Sequence, residues 1–318
     1  MKKLLLTVNV ITYNHRLWIK ECLDSILEQE TDFDFIVRIF DDCSTDGTLG
    51  ICEQYVKKHP EKVFLYPSEK NLGSKYNPLR SYRGIATPYY LYIEGDDYRI
   101  NKKGFQKQVD ILENHPECSF CAAKTINFEK NEFVNSHPNL PEGVYDKKFV
   151  LDNPGLYKHA NLGTRIVRTE CIDIVENYEE YYLWDISQYY ELFENGSMYF
   201  IHDEYMVYRM TGSGVATEKN GLDISVYMAM RGSIYIKYRK SYYLNMLYVV
   251  FMELNAAIVK ECIKNTNINT NDIRVNKIYK VLKNIRRKIL YMILPGFVPV
   301  FMHSIRDYLR VLRNRKYR

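Results

Sequence analysis

Two apolar, β-branched runs, Leu4–Tyr13 and Phe35–Phe40, flank a stretch whose apolar residues recur at helical spacing: Trp18, Ile19, Cys22, Leu23, Ile26 and Leu27. Nothing else in the chain restricts its fold as much. A second helical stretch runs from about Leu49 to Lys58, is closed by His59-Pro60, and leads into a third short strand at Val63–Tyr66. Strand and helix alternating in this way predict an α/β domain with a largely parallel sheet. Ligands of such sheets lie beyond the carboxyl ends of the strands, so the residues that end each run carry the functional information.

Each run ends in a polar cluster. The first gives Thr12-Tyr13-Asn14 and the second Asp41-Asp42-Cys43-Ser44-Thr45-Asp46-Gly47; a further run, Tyr89–Ile93, stops at Glu94-Gly95-Asp96-Asp97. Gly95 lets the backbone turn closely enough for Glu94 and Asp96 to face one small volume. Carboxylates in that arrangement suit Mg²⁺ or Mn²⁺, which keep waters and accept a substrate diphosphate in their shell. The same acids also suit the first turn of a helix beginning near Asn101. The cluster after Phe40 has two readings as well. It is either a strand-to-helix connection with Thr45 or Asp46 as N-cap, or a place where a carboxylate accepts from a base N–H or a ribose hydroxyl. Asn71-Leu72-Gly73 has the composition of a turn.

Composition narrows the class. With 318 residues, 46% hydrophobic and 26% charged, the chain is globular and long enough for one large domain with an appendage or for two domains. Met1-Lys2-Lys3 precedes an apolar start, but Thr7 and Asn9 interrupt it and no small-residue cleavage site follows, so it reads as a strand rather than a signal peptide. Seven scattered cysteines argue for a reducing compartment over a disulfide framework; Cys118 and Cys121 have metal-like spacing but no second pair.

Beyond Asn114-His115-Pro116 the alternation loosens. Ser119–Phe128 reads as a strand, 131–153 as a long polar connection, Asn161–Arg168 as a strand returning to the sheet, and Glu170–Glu176 as a short helix. Tyr181-Tyr182-Leu183-Trp184-Asp185 then leads into a helix from about Ile186 to Glu194, with Asp185 at its head. Trp184 is either core or a stacking platform. Met198–His202 and Met206–Arg209 read as two closing strands, and the glycines of 211–215 suit a hinge. Arg209 either offers charge to a diphosphate or forms a structural ion pair.

From about Asp223 the pattern is helical, and the charge becomes one-sided. Residues 274–318 hold 13 Lys/Arg against a single acid, Asp307; that segment carries +12 of a whole-chain +5, leaving −7 elsewhere. Residues 248–259 are apolar but broken by Glu253 and Asn255, too short and too polar to span a bilayer. The apolar run 290–301, flanked by Arg286-Arg287-Lys288 and a basic tail, suits the surface of an anionic membrane, or a helical pair that docks or dimerises. No recognition module accompanies the charge, so nucleic acid is not an expected partner.

Thr12-Tyr13-Asn14, the Asp41–Gly47 block, Asn71-Leu72-Gly73 and Glu94-Gly95-Asp96-Asp97, in this order and spacing, resemble the family 2 glycosyltransferases. The resemblance spans about residues 4–115. It implies a GT-A fold, that is, a Rossmann-like nucleotide-diphospho-sugar transferase domain over 1–222, followed by a basic helical extension over 223–318. Residues 1–116 are then the nucleotide-sugar half and 117–222 the acceptor half. It also implies a nucleotide-sugar donor, UDP-linked by analogy, and a saccharide or lipid-linked acceptor. Thr12, Tyr13 and Asn14 would line the nucleotide pocket, with Asp42 at the base and Glu94, Gly95 and Asp96 in place of the family's Asp-x-Asp signature. Asp96 would bind Mn²⁺ or Mg²⁺, and Glu94, where the family has Asp, would lie near the ribose. An acid at the place of Asp185 is the general base in the family, in an inverting reaction. With the basic tail, the resemblance implies cell-surface polysaccharide assembly at the inner face of the membrane. Two other readings stay open: a sugar-1-phosphate nucleotidyltransferase, although Thr12–Arg16 has no phosphate-loop glycine, and a non-catalytic sugar-nucleotide-binding module.

Overall fold

The computed structural model describes residues 2–129, 131–134, 140–152, 160–171 and 185–210. The expected alternation opens the chain. Strand β1 (Leu4–Thr12), helix α1 (Ile19–Leu27), β2 (Asp34–Asp41), α2 (Thr48–Lys58), β3 (Val63–Pro67), α3 (Gly73–Ser81) and β4 (Tyr89–Glu94) follow one another. Next come β5 (Tyr98–Arg99), α4 (Gly104–Asn114), β6 (Cys118–Glu129), β7 (Glu132–Val134), β8 (Gly143–Tyr145) and α5 (Lys147–Asp152). A 3₁₀ turn at Leu162–Thr164, β9 (Ile166–Arg168), a second 3₁₀ turn at Thr169–Cys171, α6 (Asp185–Asn195) and β10 (Ser197–Arg209) complete the described elements.

The strands form one sheet in the order β3-β2-β1-β4-β9-β6-β10-β5, with β7 beside β6 and β8 beside β10. The four strands β1 to β4 are parallel; β9 then runs antiparallel to both β4 and β6, so the sheet changes character in the middle. Strand alternation splits the side chains into two layers. On one face Leu6, Val8, Val10, Val37, Ile39, Leu91 and Ile93 pack with Ile19, Leu23 and Ile26 of α1 and Phe105, Val109 and Leu112 of α4. On the other, Phe40, Tyr90, Tyr92, Phe120 and Phe200 pack with Tyr82 and with Tyr189, Leu192 and Phe193 of α6. Helices on both faces are what a mostly buried sheet requires.

Three readings change and one helix is new. Helix α3 follows the turn at Asn71–Gly73 with no reading behind it; it holds Pro78 inside and buries few apolar side chains, so no helical stripe announces it. The polar connection 131–153 contains β7, β8 and α5. The two closing strands are one, β10, paired with β6 throughout but with register irregularities between Ile201 and Met206, where polar Asp203 and Glu204 interrupt the apolar alternation. At the start of α2 the N-cap position is Gly47, at φ 101°, while the Asp46 carboxylate accepts from the Thr48 amide and hydroxyl. Trp184, the glycines of 211–215 and the whole of 223–318 lie outside the described residues. Among the described residues no helix is long and apolar enough to cross a membrane.

Candidate active site

Parallel register brings the polar clusters to one edge of the sheet. Thr12 pairs with Asp41, and Ile11 pairs with Glu94, so the ends of β1, β2 and β4 lie side by side. The Asp42 amide donates to Thr12 C=O at 2.9 Å, and the Gly95 amide to Ile11 C=O at 2.8 Å. The two outer loops are therefore each tied by backbone to the strand between them.

Loop one and loop two are stitched further by side chains. Asn14, held at φ 55°, donates its amide to Ser44 Oγ at 3.0 Å and accepts the Thr45 amide on Oδ1 at 2.9 Å. A left-handed backbone is tolerated by Asn better than by most residues, which gives Asn14 a local reason to be there. The Arg16 amide donates to Asp46 Oδ2 at 2.9 Å. Asp41 Oδ1 accepts the Ser44 amide, and its Oδ2 is buried without a partner. Asp42 turns the other way: Oδ1 accepts the Leu72 amide and Oδ2 the Gly73 amide, both at 2.8 Å. Burial pushes the Asp42 carboxyl up, against the pull of those two amides. Each oxygen keeps a further lone pair for a ligand. Tyr13, 42% exposed, leaves an aromatic face open beside these loops.

Arg80 was not singled out by sequence, yet it gathers the same edge. Its guanidinium donates to the carbonyls of Asp41 and Tyr66 at 2.7 Å each, and Nε bonds Asn77 Oδ1. The only available signal was a basic residue soon after the turn at Asn71–Gly73, too weak to be read without the topology.

The acidic turn is crowded. A Cβ on Gly95 would lie 2.9 Å from Ile19 Cδ1, 2.9 Å from Thr12 Oγ1 and 3.0 Å from His15 Nδ1, so glycine is required here by packing and not by its φ. Glu94 is exposed, with Oε1 3.5 Å from the Tyr92 hydroxyl. Asp96 is buried except for a small part of its carboxylate, and His15 Nε2 stands 3.9 Å from its Oδ2. Burial pushes the His15 imidazole down, against the carboxylates of Asp96, Asp46 and Asp41. Asp97 is buried, and burial and then the charge of Asp96 push its carboxyl well above the ordinary carboxylate range.

Arg209, the last residue of β10, closes the turn. Its amide donates to Asp97 Oδ1 at 2.9 Å, Nη1 donates to Asp96 C=O at 2.6 Å, Nη2 pairs with Glu21, and the guanidinium lies 4.3 Å over the Tyr98 ring. These contacts hold the turn, and the guanidinium keeps further N–H groups with which it could meet a diphosphate.

Among the described residues no three His, Cys, Asp or Glu side chains are grouped as a protein-only metal cage. A hard divalent ion that takes one or two carboxylates and finds the rest of its shell in diphosphate and water needs no such cage, and the partly accessible carboxylate of Asp96 fits that mode.

On the other face of the sheet, α6 begins at Asp185, of which the backbone alone is described. One turn on, Gln188 is buried; its Nε2 donates to the hydroxyls of Tyr82 and Tyr90 at 3.1 and 3.2 Å, and its Oε1 accepts from Arg165 at 3.4 Å. The Arg165 guanidinium also lies over Tyr189, 5.3 Å from its centroid. The head of α6 is thus anchored by a buried polar network that the sequence did not disclose.

A sequence model of the family described as Glycosyl transferase family 2 matches residues 7–172, more than half of the chain. The chain belongs to that family. This family 2 chain is 45% identical over 83 residues to the dTDP-rhamnosyl transferase RfbG of Shigella flexneri, a match covering 26% of this chain and 28% of RfbG. Three mycobacterial proteins match at 34% identity over 35% of this chain and 32% of their own length, so the chain spans about a third of those relatives. Among solved structures, Staphylococcus aureus TarS 1–349 in complex with UDP-GlcNAc superposes with a TM-score of 0.54 at 20% identity, covering 73% of this chain and 66% of that one. The mannosyltransferase PcManGT of Pyrobaculum calidifontis, solved with GDP-Man and Mn²⁺, gives a TM-score of 0.55 at 13% identity over 90% of this chain and 83% of that one. These likenesses establish the GT-A fold of the family 2 chain.

Proposed function

We propose that this family 2 chain is a metal-dependent, inverting glycosyltransferase that moves a sugar from a nucleotide-sugar donor, a UDP-sugar in the favoured reading, to a saccharide or lipid-linked saccharide. The observation that carries the proposal is the register that sets Thr12 beside Asp41 and Ile11 beside Glu94, so that the Asp42 loop and the Asp96 turn border one strand end. The names of the relatives support it: RfbG and TarS are sugar transferases, and TarS and PcManGT were solved with nucleotide sugars.

In this reading Thr12, Tyr13, Asn14 and Asp42 hold the nucleoside, Glu94 lies by the ribose, and Gly95 keeps the turn close. Asp96 holds Mn²⁺ or Mg²⁺, which when bound stabilises negative charge on a leaving diphosphate. Arg209 keeps the Asp96 turn in place. Asp185 is the general base: it takes the proton of the acceptor hydroxyl as that oxygen attacks the anomeric carbon from the side opposite the leaving group. Trp184 borders the acceptor. Residues 1–222 form the catalytic domain, and the basic extension 223–318 carries the 274–318 segment to an anionic membrane or a second copy of the chain, placing the enzyme at the inner face of the membrane in cell-surface polysaccharide assembly.

A thermal-shift panel of UDP-, GDP- and dTDP-sugars, each with and without Mn²⁺, tests the donor, since a ligand of the native state raises its stability by mass action. Stabilisation by a nucleotide sugar that depends on Mn²⁺ and disappears in Asp96→Ala is expected. Asp185→Asn is expected to keep donor binding and to lose turnover by about 10²–10⁴-fold. Unchanged turnover in Asp185→Asn moves the base elsewhere, and pyrophosphate formation from a nucleoside triphosphate and a sugar phosphate replaces the transferase reading.

A further inference from the structure

We infer that His15 is a second protein ligand of the divalent cation at Asp96, and that its imidazole biases the site toward Mn²⁺ over Mg²⁺. The inference rests on the proposed metal role of Asp96 and adds a residue that belongs to none of the acidic clusters.

The backbone fixes where His15 can reach. Asn14 turns the chain at φ 55°, and His15 C=O then accepts the amides of Trp18 at 2.9 Å and Ile19 at 2.8 Å, so His15 sits at the head of α1. From there its ring folds back over Gly95, edge-on to Trp18 with centroids 6.1 Å apart. A Cβ at position 95 would occupy the space the ring uses, 3.0 Å from Nδ1. The glycine of the acidic turn therefore admits the imidazole as well as the bend.

Two polar atoms at this spot have no partner. His15 Nδ1 and Thr12 Oγ1 are both buried and unbonded, and both lie within 3.0 Å of the position a Gly95 Cβ would take. A hydroxyl oxygen accepts a ring N–H, and a metal-ligating imidazole almost always donates from its other nitrogen to such a group. Nδ1 and Thr12 Oγ1 are not bonded to each other; in the tautomer that carries its proton on Nδ1, the lone pair is on Nε2, the nitrogen that faces Asp96. Nε2 and Asp96 Oδ2 are 3.9 Å apart, with their side chains 18% and 10% exposed. Adjacent ligands held at about 2.1 Å by an octahedral cation stand about 3 Å apart, so the pair would close by about 1 Å on binding one. A structural histidine packed this tightly would be expected to bond both nitrogens or to face apolar neighbours; this one presents a nitrogen to a carboxylate.

The consequence is chemical selectivity. Carboxylate, diphosphate and water form an all-oxygen shell that Mg²⁺ accepts readily. Exchanging one oxygen for imidazole favours Mn²⁺ and later divalent ions, because nitrogen donors suit them better than they suit Mg²⁺.

The test uses the full chain, Mn²⁺ and UDP. Electron spin echo measurements on Mn²⁺ bound to the unsubstituted protein are expected to show the coupling of a directly bound imidazole nitrogen, which needs no variant to fold. His15→Ala is expected to abolish that coupling and weaken Mn²⁺ about tenfold or more, while Mg²⁺ measured by competition changes less than about threefold. Absence of nitrogen coupling, or equal losses for both metals in His15→Ala, overturns the assignment and leaves His15 as packing. Asp96→Ala separates the two levels. If it retains Mn²⁺, the metal reading of the acidic turn falls; if it releases both metals while His15→Ala changes nothing, only the His15 inference falls.

Discussion

Asp42 and Gly95 show how little of a residue's task is local. Asp42 was read as a base contact on resemblance, and in the structure its two oxygens hold the amides of Leu72 and Gly73, 30 and 31 residues away. No spacing in the sequence announces that pairing, because the partner is backbone and its sequence is only a turn. Asp42→Asn keeps one acceptor and places an NH₂ group against the second amide. We expect a loss of about 1–3 kcal/mol in denaturant stability, the cost of an unsatisfied buried group, and weaker nucleotide binding by isothermal titration. Gly95 was legible as a tight bend, but its tighter constraint, contact with Ile19, Thr12 and His15 side chains, became visible only with α1 docked. Gly95→Ala should overpack that site at a cost of about 1–3 kcal/mol, read as a lower unfolding midpoint; trimming the contact in a Gly95→Ala, Ile19→Val double variant should recover part of it.

Strands and amphipathic helices were legible because burial imposes a period on their residues. The ends of β1, β2 and β4 fall within a residue or so of where β-branched runs give way to polar clusters. The helix α3 was not, since Pro78 and a mostly polar composition erase the stripe, and its place is held instead by Asn77 bonding the Phe40 carbonyl and by Arg80 bonding those of Asp41 and Tyr66. Helix α6 is the opposite case: an apolar face through Ile186, Tyr189, Tyr190 and Phe193 was visible, of which Tyr189 and Phe193 are buried with Leu192, while its polar anchor was not. Replacing that anchor, Gln188→Leu, removes the hydrogen bonds it gives to the hydroxyls of Tyr82 and Tyr90. It is expected to cost about 1–3 kcal/mol in stability. If α6 carries the general base, turnover falls further than donor affinity does, which steady-state kinetics beside a binding titration would separate.

At the level of the whole molecule, topology decides what meets what. Three clusters spaced over some eighty residues reach one edge because β1 lies between β2 and β4, an arrangement the βαβ pattern implied and the register fixes. The strand returning to the sheet over 161–168 is there as β9, but its antiparallel place between β4 and β6, and the union of the two closing strands in one long β10, were not implied, since three residues carry almost no periodic signal. Arg209→Lys keeps the charge but offers one compact donor group where the guanidinium serves both Asp96 C=O and Glu21, and nucleotide-sugar affinity is expected to fall by about tenfold, the worth of one good hydrogen bond. The basic extension makes its own prediction: reversing Arg286, Arg287 and Lys288 to Glu should weaken sedimentation with phosphatidylserine vesicles, and raising the salt concentration should do the same to the unsubstituted chain.

The contact between Arg209 and the acidic turn also has a history in time. Asp96 and Asp97 leave the ribosome long before their clasp does, since 113 residues separate Arg209 from the Asp96 carbonyl it holds. Bringing such distant partners together carries a loop-closure cost that only the docking of β10 against β5 and β6 offsets. This edge of the sheet is thus completed late: a nascent chain that already contains the three polar clusters at the strand ends still lacks the residue that holds the turn shut.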